Sequence, residues 1–175
     1  GKIDAIIAGM SPTAERKASI DFSNPYYTSD LVIVVKKDGA YANASSLADF
    51  NGAKITAQLN TFHYTVIDQI EGVQKQQALD TFPAMIVALQ SGKIDGYISE
   101  RPGAVSAAEA NQDLTFIEFG EGQGFEASEE DVAIAVGLKK GSELADEINE
   151  ILDGISKEQR QEMMDAAVAR QPVAE

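Results

Sequence analysis

The 175-residue chain contains no cysteine and a single histidine. Without cysteine it has no disulfide, no thiol nucleophile and no Cys-ligated zinc. With one imidazole besides, nucleophilic triads and metal clusters find no support, so no cofactor or metal is expected. Basic residues are also scarce: 14 Lys and Arg stand against 28 Asp and Glu, a net charge of −14. Such a surface repels phosphate backbones, and no basic stripe interrupts it, which excludes nucleic acid as a partner. It is a poor match for anionic lipid as well. Long apolar runs are missing too. Runs such as Leu31 to Val35 fall far short of the roughly 20 residues that a membrane-spanning helix needs.

What is present is an ordinary globular composition, 44% hydrophobic and 24% charged. The length suits one larger domain or two small lobes. Strand and helix signals alternate along it. Residues 3–8 form a short apolar run too short for a helix, and "DLVIVVKKD" (30–38) is a β-branched strand bounded by charge. "SSLADFNG" (45–52) predicts a short helix with Ser46 and Asp49 spaced as a capping box. Strand 53–58 and helix 61–70 follow, then helix 81–92 with Thr81 as N-cap, Pro83 in its first turn and Gly92 as its stop. Strand 93–99, a helix near 102–111 and strand 114–119 lead to a glycine- and acid-rich loop, 120–131. A strand over 132–138 and two helices complete the pattern. The first helix (142–153) carries a stripe of Leu144, Ile148, Ile151, Leu152 and Ile155; Gly154 stops it, and Ser156 with Gln159 caps the second. Alternating units of this kind predict α/β lobes with mostly parallel sheets, whose ligands sit at the carboxyl ends of strands.

One stretch is written twice: "GKIDAIIAGM" at residue 1 and "GKIDGYISER" at residue 92. Aligned, Gly9 of the first copy falls where Glu100 falls in the second, just past the strand. One copy therefore delivers a loop, "AGMSPTAER", where the other delivers a carboxylate. In facing lobes the two strand ends would point at one cleft. The loop offers the hydroxyls of Ser11 and Thr13, backbone N–H groups near Gly9 to Ser11, and the guanidinium of Arg16. Arginine with hydroxyl and amide donors captures a carboxylate, because the guanidinium presents a planar fork. Glu100 would pair with an ammonium. Carboxylate and ammonium a few ångströms apart are the two ends of an α-amino acid. By residue type alone, Arg16 reads equally as a solvated helix-end cation, and the repeat as an ordinary glycine turn into a strand.

The stretch "AGMSPTAERKASIDFSNPYYTSDLVIVV" (8–35) resembles the signature region of the bacterial polar-amino-acid solute-binding proteins of ATP-binding-cassette importers. The similarity continues through "QLNT" (58–61), "LQSGKIDGYISERP" (89–102) and "AIAVGLKKG" (133–141), essentially the whole chain. The resemblance implies roles by position. Arg16 holds the ligand α-carboxylate with Ser11 beside it, and the Gly9 carbonyl accepts from the α-ammonium. Thr61 closes onto the carboxylate from the second lobe, and Glu100 pairs with the ammonium where Asp is commoner in the family. Gln58 and Ser99 fall where the ligand side chain is touched. Asn60 stands where many relatives have glycine, so the local turn is expected to differ.

The family fold implies a two-lobed periplasmic-binding-protein-like α/β chain closing by rigid-body rotation. Residues 1–31 and 119–175 would form the first lobe and 37–117 the second, with hinge strands near 32–36 and 114–119. Family members begin with two further strands and two helices. The expectation is therefore a first lobe incomplete at its N-terminus, with an open sheet edge that invites dimerisation or swapping. The implied partners are an L-amino acid and the membrane permease of the importer, and the implied location is extracytoplasmic, in the periplasm or lipid-anchored at the outer face of the cell membrane. Acids at Glu100, Glu121, Glu126 and Glu129 suit a basic ligand such as arginine, lysine or histidine, with glutamine close behind. Two alternatives share the fold: a prephenate or arogenate dehydratase-like enzyme, and the ligand-binding domain of a membrane receptor. An enzyme would need positioned acid–base groups. His63, inside the predicted helix, reads as a side chain decorating or packing that helix, and the run "EASEED" as a solvated loop.

Overall fold

The computed structural model describes residues 3–170. The chain begins with β1 (Ala5–Ile6), a loop, and the single turn α1 (Ala14–Lys17), which Thr13 caps by accepting the Arg16 N–H. Then come β2 (Ile20–Phe22), β3 (Tyr27–Thr28) and β4 (Leu31–Lys36). A 3-10 turn, Leu47–Phe50, is closed by the Ser46–Asp49 capping box. After β5 (Lys54–Thr56), α2 (His63–Val66) tightens into a second 3-10 turn, Ile67–Gln69, so the helix expected over 61–70 is shorter and broken. β6 (Gln74–Lys75) precedes α3 (Phe82–Gln90), which Thr81 caps and which ends before Gly92 at φ +72°. That left-handed turn explains the glycine. β7 (Gly96–Glu100), α4 (Arg101–Ala110) and β8 (Leu114–Ile117) follow. The last elements are α5 (Glu129–Val132), β9 (Ala133–Ile134), β10 (Gly137–Lys139), α6 (Leu144–Asp153) and α7 (Lys157–Val168).

The chain forms two compact units, Asp30–Glu126 and the described residues up to Ser29 together with Ala127–Arg170. In the first of these, five strands lie in the order β6-β5-β7-β4-β8. β5 pairs parallel with β6 and β7, whereas β4 runs antiparallel between β7 and β8. β4 enters at Asp30 without a crossover helix of its own, so the direction rule for βα units does not bind it. The strands expected as crossings near 32–36 and 114–119 are thus members of this sheet. Val32, Ile33, Val34 and Val35 are all at most 1% exposed, so β4 is buried on both faces. On one side Val32 and Val34 pack with Met85, Leu89, Tyr97, Ala104 and Leu114, under α3 and α4.

In the other unit β10 lies between β1 and β2, antiparallel to both, and β3 pairs antiparallel with β9. The expectation of mostly parallel sheets fails for these ladders. The strand expected over 132–138 is also split, because Ser23 enters the ladder. Its hydroxyl accepts the Val136 N–H at 3.0 Å while its own N–H donates to the Val136 carbonyl at 3.0 Å. The apolar stripe of α6 is only partly covered, with Ile151 67% and Leu144 41% exposed. No described helix is long and apolar enough to cross a membrane.

Candidate functional site

Each unit holds one of the two sets of candidate residues. In the unit of β1, the loop after the strand is pinned at several points. The Met10 carbonyl accepts the Ala135 N–H at 3.1 Å, and the Tyr26 hydroxyl donates to the Ala8 carbonyl at 2.8 Å. Ser11, 3% exposed, donates from its hydroxyl to the Asp131 carbonyl at 2.8 Å. The Ser11 carbonyl in turn accepts from Arg16 Nη1 at 3.0 Å. Gly9 is exposed between these anchors, and Arg16 is half-buried at the end of α1. Reading "SPTAER" as loop misses α1, whose Thr13 cap sets the direction in which Arg16 leaves the chain. Lys17 next to it pairs with Glu130 at 2.7 Å, leaving that acid engaged and exposed.

The second set belongs to the unit of β7. Glu100 ends β7 and occupies the N-cap position of α4 without capping it. Its side chain is 19% exposed, and burial pushes its carboxyl above the ordinary carboxylate value. His63 Nε2, on α2, lies 3.7 Å from Glu100 Oε1. Sequence reading missed this contact, because two residues 37 positions apart give no spacing signal. Thr61 donates from its hydroxyl to the Gln58 carbonyl at 2.7 Å, and Gln58 donates from Nε2 to the Asp80 carbonyl at 3.1 Å. Between them Asn60 takes φ +60°, the left-handed conformation that glycine favours and asparagine tolerates. The substitution at Asn60 therefore keeps a glycine-type backbone.

Ser99 differs from the others. It is 0% exposed, its hydroxyl donates to the Glu100 carbonyl at 3.1 Å, and a Cβ on Gly103 would come within 2.9 Å of it. It serves the close approach of α4 to β7. The acids Glu121, Glu126 and Glu129 are exposed; Glu126 is held through its backbone by Gln69, which donates to its carbonyl at 2.7 Å and accepts its N–H at 2.8 Å. Among the described residues no three of His, Asp and Glu gather as a metal-binding group.

The chemistry is thus a guanidinium-bearing loop at the end of β1 and a poorly solvated carboxylate at the end of β7. The chain matches the model of the bacterial extracellular solute-binding proteins, family 3, over residues 1–166, and belongs to that family. It is 31% identical over 156 residues to the arginine-binding extracellular protein ArtP of Bacillus subtilis (strain 168), covering 86% of this chain and 57% of that protein. It is 34% identical over 128 residues to a probable histidine-binding protein of Campylobacter jejuni, covering 71% and 48%. Among solved structures, an amino acid ABC transporter substrate-binding protein from Streptococcus pneumoniae bound to L-arginine superposes with a TM-score of 0.81 at 29% identity, covering 97% of this chain and 69% of that one. The chain spans about half the length of the curated relatives it matches, 57%, 39% and 48% for the first three.

Proposed function

We propose that this chain binds an L-amino acid, with arginine the leading candidate, as the extracytoplasmic capture component of an ABC importer. Arg16, with Ser11 and Gly9, takes the α-carboxylate. Glu100 takes the α-ammonium, and Thr61 adds a hydroxyl to the carboxylate. The observation that carries this reading is the burial of Glu100 at the end of β7, because a poorly solvated carboxylate gains most from an ammonium partner. The arginine-binding names of several relatives favour a basic ligand. Gln58 lies where the ligand side chain would reach, whereas burial argues against a direct role for Ser99. Contacts from both units would favour a closed state, which the membrane permease would then receive.

A thermal-shift screen of the twenty L-amino acids tests the reading, since a ligand that binds only the folded form raises Tm by mass action. A rise with arginine or another basic amino acid is expected, with no turnover of prephenate or arogenate. A folded chain whose Tm none of the twenty moves would contradict it, and turnover would favour the dehydratase reading.

A further inference from the structure

The one histidine of the chain has no place in the function so far. His63 opens α2, is 8% exposed, and sets Nε2 3.7 Å from Glu100 Oε1. The Phe62 ring lies against it, centroids 4.7 Å apart at 49°. Imidazole is the side chain whose ordinary titration falls nearest neutrality, and a charge this close to a poorly solvated carboxylate is felt strongly. We propose that His63 is a positioning residue for the ammonium subsite: protonated, its imidazolium engages the Glu100 carboxylate and competes with the ligand ammonium, and neutral, it leaves that carboxylate to the ligand. This rests on Glu100 being the ammonium partner.

Other charged groups stand on the elements packed around His63. β7, packed against α2, brings Tyr97 and Glu100. The 3-10 turn after α2 brings Asp68, which Lys75 holds at 2.9 Å. On α2 itself Tyr64 donates to the Gln76 carbonyl at 3.0 Å, with Lys75 Nζ 4.3 Å above its ring. Asp68 and Lys75 offset one another, and the Glu100 carboxylate lies 3.7 Å from the imidazole.

Two cations competing for one carboxylate weaken each other by the same factor. Ligand affinity therefore rises with pH through the His63 titration, and bound ligand moves that titration to lower pH. Protonation of Glu100 itself acts in the same direction. Removing the imidazole separates the two, because only the His63 step disappears. The chain would hold its amino acid above the His63 midpoint and release it below.

The single histidine gives one imidazole signal, which makes the test direct. A ¹H–¹³C NMR pH titration compares the wild-type chain with Glu100→Gln and Glu100→Asp, first without ligand. The midpoint is expected to fall by about one unit in Glu100→Gln and to be largely restored by the charged Asp. Saturating L-arginine should lower the wild-type midpoint similarly. In calorimetry, wild-type affinity should weaken by about tenfold on acidification through that midpoint, a loss absent from His63→Gln. A midpoint unmoved by Glu100→Gln or by bound arginine, or a His63→Gln chain that keeps the wild-type pH profile, overturns the proposal. If Glu100→Gln lowers the midpoint but none of the twenty L-amino acids binds at any pH, the binding reading fails and the competition with it, while the His63–Glu100 pair stands.

Discussion

The Arg16 guanidinium donates from Nη1 to the Ser11 carbonyl at 3.0 Å, so the arginine of the candidate carboxylate site is anchored to its own loop. That carbonyl belongs to a residue whose hydroxyl is itself fixed on the Asp131 carbonyl. An arginine held this way can donate elsewhere with its other N–H groups, since the guanidinium carries five in a rigid fork.

Replacement of Arg16 by lysine should therefore be nearly as damaging as replacement by alanine. An ammonium cannot reach the Ser11 carbonyl and fork a carboxylate together. Each variant should weaken amino-acid binding by about 2–3 kcal/mol, roughly 30- to 150-fold, measured by calorimetry. Because Arg16 is only half-buried, Tm should change little.

Glu100 imposes a pH dependence on stability whose sign follows from its burial. Its carboxyl is raised from the ordinary 4.5, so the folded chain holds that proton more tightly than the unfolded one. This contribution to stability is present below the ordinary value and is lost as pH rises through the raised one. Glu100→Gln, neutral throughout, should gain stability relative to wild type as pH rises across that window. Tm measured for both chains over about pH 3–8 tests the sign. A gap that shrinks with rising pH would contradict it.

Ser23 is 6% exposed and fills a break in the ladder by accepting the Val136 N–H. It also donates to the Asn24 carbonyl at 2.8 Å. Ser23→Ala leaves a buried N–H without its acceptor and should cost about 1–3 kcal/mol in denaturant unfolding. Hydrogen exchange at Val136 should accelerate with it.

Tyr97 offers the opposite case. It is 0% exposed, its ring meets Phe82 edge-on at 6.4 Å, and its hydroxyl has no hydrogen-bond partner among the described residues. Burial also pushes its ionisation well above the ordinary phenol value. Tyr97→Phe removes the orphaned hydroxyl while keeping the ring, so unfolding should show no loss or a gain of about 1 kcal/mol. A loss of similar size would mean the hydroxyl is satisfied in solution.

These cases also show which parts of the fold sequence reading reaches. The Ser46–Asp49 and Ser156–Gln159 capping boxes and the Thr81 cap follow from three-residue spacings, and all are present. β4 was evident from its unbroken β-branched run. The breaks were not: Ser23 meets Val136 and Ser11 meets Asp131 across more than a hundred residues, and neither pair has a local signal. The one-turn α1 and the two-residue β3 and β6 are too short to show a period. In the candidate site, Arg16 and Glu100 could be picked by chemistry and by resemblance. The burial of Ser99 and the approach of His63 to Glu100 depend on how α4 and α2 pack on β7, which no spacing encodes.

The most direct test of amino-acid capture is titration calorimetry of L-arginine into the wild-type chain, Arg16→Ala and Glu100→Gln at neutral pH. Saturable heat in the wild type, lost or weakened at least thirtyfold, roughly 2 kcal/mol, in both variants, is the predicted result. Binding of equal affinity in all three folded chains would contradict the account.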